Sequence, residues 1–355
     1  LTLDLDLQRV AEQALADKPG GAVVALEAAT GAVLALASRP SFDPNFFSKL
    51  ITTQKEYDAL FSNPKKPLLS RAMNPYDPGS TWKPVTAMAG MESGQFPPDT
   101  KLHTTACITY GGHCFTDHNG KGFGTIGYAD ALRHSSNTFF YQVGVGVGSL
   151  ALKQAADQLG FQQKTGIEIG WEESIGLVGD EPWADRGRGW AEPGTVPWIP
   201  EDMASASIGQ SVVQITPLQL ARAYAVFANG GWLVTPHLAA GDIDWMSPEH
   251  RTKVAMKPST LQTIQEGCAK WWRLELVPVS MVRVFLQQPA KPERLKTAPG
   301  ALIMPGLAAM PRIPTARSWW WPLPRTPLEG DRFTRCPWPR RCWRSGSGLG
   351  SARQP

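Results

Sequence analysis

Ser80-Thr81-Trp82-Lys83, set in the phrase Asp77-Pro78-Gly79-Ser80-Thr81-Trp82-Lys83-Pro84, puts a hydroxyl and an amine three residues apart where a turn enters a helix. Residues at that spacing share one helical face, so the lysine amine can reach the serine hydroxyl and act as its base. Pro78-Gly79 supplies the turn, and Pro84 is tolerated because it falls in the first helical turn. The serine therefore lies among unpaired backbone N–H groups at the end of the helix dipole that favours developing negative charge. The chemistry this allows is nucleophilic attack on a carbonyl. Taken alone, Ser-x-x-Lys equally describes a capped, solvated helix start.

A second polar element follows in Arg133-His134-Ser135-Ser136-Asn137-Thr138-Phe139-Phe140-Tyr141. A short polar triplet directly before an aromatic run predicts a helix–helix loop pinned against a core. Ser135 is suited to relaying a proton and Asn137 to holding a substrate amide. The plainer reading of the same residues is an N-cap serine beside a turn asparagine.

Together, the two elements resemble the penicillin-binding protein and serine β-lactamase superfamily, whose set is Ser-x-x-Lys, Ser-x-Asn and Lys-Thr-Gly. The resemblance extends to Leu1-Thr2-Leu3-Asp4-Leu5-Asp6-Leu7-Gln8, to the hairpin phrases starting at Gly21 and Thr30, and to Pro40-Ser41-Phe42-Asp43-Pro44-Asn45. Thr216-Pro217-Leu218-Gln219-Leu220-Ala221 through Ala228-Asn229-Gly230-Gly231 is similar as well. The wording looks like a class B penicillin-binding protein of the cell-elongation type, and it covers residues 1–267.

The third motif departs from the pattern. Lys164-Thr165-Gly166 occurs between Leu159-Gly160-Phe161 and Ile167-Glu168-Ile169, a position that is peripheral in the family. The catalytic triplet of the family follows the Thr-Pro-Leu-Gln helix, and no Lys-Thr-Gly occurs here after residue 216. Composition changes at the same point. Residues 268–355 hold 15 Lys/Arg against 4 Asp/Glu, a net of +11, whereas residues 1–267 hold 20 against 27, a net of −7. Stretches such as Trp319-Trp320-Trp321-Pro322 and Arg335-Cys336-Pro337-Trp338-Pro339-Arg340-Arg341-Cys342-Trp343 carry no usable helical or strand period.

The genetic code offers an explanation. Joining the last base of each codon to the first two of the next lets 290–297 read Lys-Thr-Gly-Thr-Ala-Glu-Asn, and 302–307 read Asp-His-Ala-Trp-Phe. A frameshift near Gly267-Cys268 is therefore expected, making 268–355 an out-of-frame tail and not a genuine domain. A basic, aromatic nucleic-acid-binding tail is the competing reading of the same composition, but the frame argument accounts for it in more detail, and no nucleic-acid partner is expected.

The expected fold is α+β: an antiparallel sheet flanked by helices, as in the transpeptidase and serine β-lactamase folds. Residues 21–38 alternate as a hairpin around Ala28-Ala29-Thr30-Gly31, the middle reads as mainly helical, 180–200 as a loop, and 214–230 as a helix stopped by Asn-Gly-Gly. As printed, only the first hairpin of the sheet is expected, with three strands missing and an exposed edge prone to aggregation. Cys107 and Cys114 flank Tyr110-Gly111-Gly112 and suit a hairpin disulfide. Adding Asp117, His118 and His113 as metal donors matches no standard spacing, so no metal is expected.

The resemblance implies acyl transfer through a serine ester, with no cofactor. Ser80 would attack the carbonyl between two terminal D-alanines of a peptidoglycan stem peptide, with Lys83 taking the proton. Ser135 would pass that proton to the leaving amine, and Asn137 would orient the donor. β-Lactams would trap Ser80. The resemblance also implies a longer, membrane-anchored parent acting outside the cytoplasmic membrane beside a glycosyltransferase, although no transmembrane stretch or signal peptide is present in this sequence. Without the Lys-Thr-Gly strand, the printed chain is expected to be inactive. A β-lactamase, a β-lactam sensor or a non-enzymatic pseudoenzyme of the same fold are the alternatives.

Overall fold

Which residues lie inside explains how the chain is built. In the computed structural model, residues 1–179 and 198–275 are described, together with the strands Arg283–Gln287 and Ile303–Met304. All of them fall in one compact unit, Leu1–Ala309. The expected 180–200 loop lies largely outside the described residues, as does nearly all of the tail beyond 275.

Asp4 caps α1 (Leu5–Ala14) by accepting from the N–H groups of Asp6 and Leu7. Strands β1 (Gly21–Leu26) and β2 (Val33–Arg39) then form the expected hairpin, paired from Gly21↔Arg39 to Leu26↔Val33. Every residue of β1 is buried. Alternation explains how: Ala22, Val24 and Leu26 face the main core, while Val23 and Ala25 face a smaller cluster with Ala11 and Leu15. A strand with apolar residues on both faces needs cover on both.

After α2 (Gln54–Phe61), the chain reaches the buried helix α3 (Lys83–Glu92), whose residues from Lys83 to Met91 are all buried. The middle is not mainly helical at first. Between α3 and α4 (Tyr128–His134) lie two short antiparallel pairs, β3 (Lys101–Thr104) with β6 (Gly124–Gly127), and β4 (Cys107–Tyr110) with β5 (His113–Thr116). Gly111 and Gly112, both at positive φ, make the β4–β5 turn. These strands are only four residues each, too short for an alternation signal to stand out. Helix α5 (Asn137–Gln158) follows and is interrupted at Gly148 (φ 76°, ψ 176°).

The second half supplies β7 (Leu177–Val178), α6 (Pro200–Ser207), β8 (Val213–Gln214) and α7 (Pro217–Ala228). Helix α7 begins later than the expected 214. Thr216 is its cap, in a reciprocal box with Gln219, Pro217 occupies the first turn, and Gln214 belongs to the strand. Strands β9 (Trp232–Val234) and β10 (Arg251–Lys253) pair with each other, and α8 (Pro258–Glu275) runs across the 267–268 junction. The core is aromatic: Trp82, Tyr128, Phe139, Phe140, Phe161 and Phe227 are essentially inaccessible.

The sheet corrects one expectation. β11 (Arg283–Gln287) pairs antiparallel with the free edge of β1, and β12 (Ile303–Met304) pairs with β11, giving the order β12-β11-β1-β2. The hairpin is therefore not left alone. Ladder hydrogen bonds use backbone groups only, so an open edge accepts any extended segment that reaches it.

One close approach ties this fold to the candidate site. A Cβ on Gly209 (φ +71°) would lie 2.5 Å from both Gly79 O and Trp82 Cβ. Gly209→Ala should therefore lower stability by on the order of 2 kcal/mol or more, read as a reduced urea midpoint. An unchanged midpoint would mean that the segment around Gly209 can withdraw from the Gly79–Trp82 turn at no cost.

Candidate active site

Gly79–Trp82 forms a single 3₁₀ turn that runs directly into α3. Side chains three apart eclipse in that geometry, so Ser80 and Lys83 fall on one side, as their spacing predicts. Thr81 Oγ1 closes the turn by donating to Pro78 O at 2.7 Å. Later elements clamp it from behind. Gly79 N–H donates to Gly209 O (2.8 Å), and Tyr76 exchanges two 2.9 Å hydrogen bonds with Ile215. Tyr224 OH donates to Thr81 O (2.9 Å) and Thr86 Oγ1 to Ser207 O (2.7 Å). The result is an exposed Ser80 above buried Thr81, Trp82 and Lys83.

Lys83 is 1% exposed. Its ammonium donates to Ser135 O (2.5 Å), Asn137 Oδ1 (2.7 Å) and Ser135 Oγ (3.0 Å), which accounts for all three of its protons. The Phe140 ring lies 5.9 Å away. Burial pulls its pKa from 10.5 down to about 7, partly opposed by the charge of Asp117. Among the described residues, Lys83 makes no hydrogen bond to Ser80, and its protons are directed at the Ser135–Asn137 turn.

That turn is the expected helix–helix loop, and a serine caps the helix after it, as the plainer reading has it. Ser135 closes α4 in the left-handed region (φ 52°, ψ 39°), an uncommon conformation for a residue with a side chain. Ser136 is the N-cap of α5, accepting from Phe139 N–H. Ser135 and Asn137 are the two that reach Lys83. The structure thus brings together Lys83, Ser135 and Asn137, with Ser80 one turn above them.

Sequence reasoning missed the part played by Asp117. It stood only among unused metal donors, yet its carboxylate accepts from Ser136 Oγ at 2.7 Å and from Thr138 Oγ1 at 2.8 Å. The signal was indirect. The β4–β5 hairpin returns the chain so that Asp117 N–H donates to Ala106 O (2.8 Å), and Cys107 and Cys114 are joined across that hairpin.

Lys164-Thr165-Gly166 lies elsewhere, in the loop after α5, and belongs to no strand. Lys164 Nζ donates to Gly170 O (2.8 Å) and Thr165 N–H to a Glu173 carboxylate oxygen (2.9 Å). None of its hydrogen bonds among the described residues involves Ser80, Lys83, Ser135 or Asn137.

The penicillin binding protein transpeptidase domain matches residues 21–271. The chain belongs to this family. The peptidoglycan D,D-transpeptidase MrdA of Acinetobacter baumannii is 39% identical over 270 residues, covering 75% of this chain and 37% of that protein. A chain from a solved peptidoglycan synthase complex, in which polymerization and crosslinking are coordinated, superposes with a TM-score of 0.68 at 34% identity, covering 79% of this chain and 51% of that one. Penicillin-binding protein A of M. tuberculosis, solved as its penicillin G acyl-enzyme complex, gives a TM-score of 0.64 at 27% identity, covering 79% and 64%. The expected family and fold are thereby established. The chain spans well under half the length of its A. baumannii relative.

The buried amine of this transpeptidase domain links protonation to stability. Between about pH 7 and 10.5 the unfolded chain keeps a proton that folded Lys83 has released, so folding gains as pH rises through that window. Below it both states are charged and the full cost of burying the ammonium remains. Lys83→Met should therefore be more stable than the parent at pH 6, with a margin that shrinks towards pH 10.5. Denaturant midpoints measured across that range give the test, and a pH-independent margin would contradict the depressed pKa.

Proposed function

We propose that the domain is the acyl-transfer unit of a peptidoglycan D,D-transpeptidase of the elongation type, with Ser80 as nucleophile. The observation carrying this reading is the buried Lys83 amine, near neutrality in pKa, held to Ser135 and Asn137 directly beneath an exposed serine.

Chemistry follows from the hydrogen bonds. When Lys83 loses a proton, its nitrogen gains a lone pair and no longer needs three acceptors. That lone pair takes the Ser80 hydroxyl proton as Oγ attacks the carbonyl between the terminal D-alanines of a stem peptide. The C–N electrons leave with the D-alanine amine, which receives its proton from Lys83 through the Ser135 hydroxyl. Asn137 presents its amide to the donor peptide. An amine from a neighbouring stem peptide then attacks the seryl ester, the C–O bond to Ser80 breaks, and the amine's proton passes through Ser135 and Lys83 to Ser80 Oγ as the cross-link forms. β-Lactams would form the same ester and hold it. The Ser80 N–H, at the start of the turn, would be one oxyanion donor.

The second donor belongs to a Lys-Thr-Gly strand, which the printed sequence lacks after residue 216. Supporting a frameshift near Gly267-Cys268 is the end of the family match at residue 271, just past the change in composition. On this reading the tail is out of frame, and the printed chain has lost an oxyanion donor and the site for the substrate carboxylate. One such donor is worth roughly 10²–10³ in rate. The intact parent would be membrane-anchored and act on the extracytoplasmic face beside a glycosyltransferase, in keeping with its similarity to a chain of a peptidoglycan synthase complex. Among the described residues, no helix is long and apolar enough to cross a membrane.

A fluorescent penicillin tests the chemistry. The printed chain should acquire negligible label, whereas a frame-corrected chain should label stoichiometrically and lose the label in Ser80→Ala. Stoichiometric labelling of the printed chain at Ser80 would overturn its inactivity, and rapid release of the hydrolysed drug would favour a β-lactamase instead. Resequencing the DNA for 255–310 tests the frame, with a one-base correction that restores Lys-Thr-Gly as the expected result.

A further inference from the structure

Asp117 has no solvent-exposed side-chain surface. Its two oxygens collect six donors. Oδ1 accepts from His118 N–H (2.8 Å), His118 Nδ1 (2.9 Å) and Asn137 N–H (3.3 Å). Oδ2 accepts from Ser136 Oγ (2.7 Å), Thr138 Oγ1 (2.8 Å) and Thr138 N–H (3.2 Å). Asn137 and Thr138 open α5, and their N–H groups have no acceptor within the helix. Such a position favours a carboxylate through both hydrogen bonding and the helix dipole. Every residue of the turn from Ser136 to Thr138 is thus fastened to one carboxylate, and Asn137 passes the connection on to Lys83 through its side-chain oxygen (2.7 Å).

We propose that Asp117 is a positioning residue for this site, fastening the Ser135–Asn137 turn beneath Lys83 while supplying, among the described residues, the one negative charge that partly compensates the buried ammonium. The proposal rests on the reading of Lys83 as the base for Ser80. A fully desolvated lysine would release its proton far below neutrality, as buried lysines can. Asp117 acts against that burial, and a base is most useful when its pKa lies near the working pH. The carboxylate stays ionised. Burial pushes its pKa up, but the hydrogen bonds from His118, Ser136 and Thr138 outweigh that effect and hold it well below the usual carboxylate range. The titratable groups facing Asp117 are His118, Lys83 and Tyr141, whose phenol is pushed up to about 12 by burial and then by the Asp117 charge. His118 in turn faces His134.

Loss of the charge and loss of the scaffold move Lys83 in opposite directions. Removing the negative charge disfavours the ammonium, whereas loosening the turn admits water and returns the amine towards 10.5. The test is the NMR titration of the Lys83 side chain in the full chain and in its Asp117→Asn and Asp117→Glu variants, which needs no catalytic activity. The parent amine should titrate near neutral pH, Asp117→Asn should titrate lower by about one pH unit or more, and Asp117→Glu should stay close to the parent. An unchanged or raised value in folded Asp117→Asn would overturn the proposal. A parent Lys83 titrating near 10.5 would instead remove the base reading, whatever Asp117 does. Should Asp117→Asn fail to fold, the parent alone still decides through hydrogen exchange. The Asn137 and Thr138 amides should stay protected through the ordinary carboxylate range near pH 4 and open only below it. Their release near pH 4, with deeper α5 amides still protected, would overturn the proposal.

Discussion

A lysine ammonium buried inside the core has to be solvated by the protein, and much of this structure can be understood as meeting that requirement. Lys83 is 1% exposed, with the Phe140 ring 5.9 Å from its ammonium, so its three protons need three protein acceptors in a small volume. Two come from Ser135 and one from Asn137. Ser135, which offers both of its oxygens, sits in the left-handed region between α4 and α5. Burial that costs so much in free energy also moves the amine towards neutrality.

The neighbouring hydroxyl is handled in the opposite way. Ser80 is exposed, but nothing about its backbone is free to wander. The 3₁₀ turn is closed locally by Thr81 and braced by Gly209, Ile215 and Tyr224 from segments far along the chain. An exposed hydroxyl on a braced turn, with a buried amine three residues on, gives access and orientation together.

The sheet plays a more general part. β1 is buried on both faces and carries the hairpin to which the helical core is attached. Its free edge is taken by β11, from beyond the junction where the sequence changes character. Pairing along an edge is a backbone affair, and here it sets only the register. The residues that a catalytic strand would present to substrate depend on side chains, which is why the composition of 268–355 matters for chemistry more than for the continuity of the sheet.

The sequence by itself determined the hairpin, the Ser80–Lys83 spacing, the loop at Ser135–Asn137 and the Asn-Gly-Gly stop of α7, because each is written in contiguous residues through periodicity or turn chemistry. The family resemblance, and not any local pattern, set Lys164-Thr165-Gly166 aside as peripheral, and the structure places it in the loop after α5. Tertiary structure alone decided the rest. Four-residue strands such as β4 and β5 are too short to announce themselves, and only their pairing carries Asp117 to the start of α5. Gly209 reads in sequence as any loop glycine until the approach of Gly79 and Trp82 leaves no room for a Cβ. Whether Lys83 is a solvated surface charge or a near-neutral amine could not be read from four residues, because its pKa is set by what surrounds it in space. Spacing along the chain pairs the hydroxyl with the amine, but burial and the acceptors gathered from distant segments decide the amine's protonation.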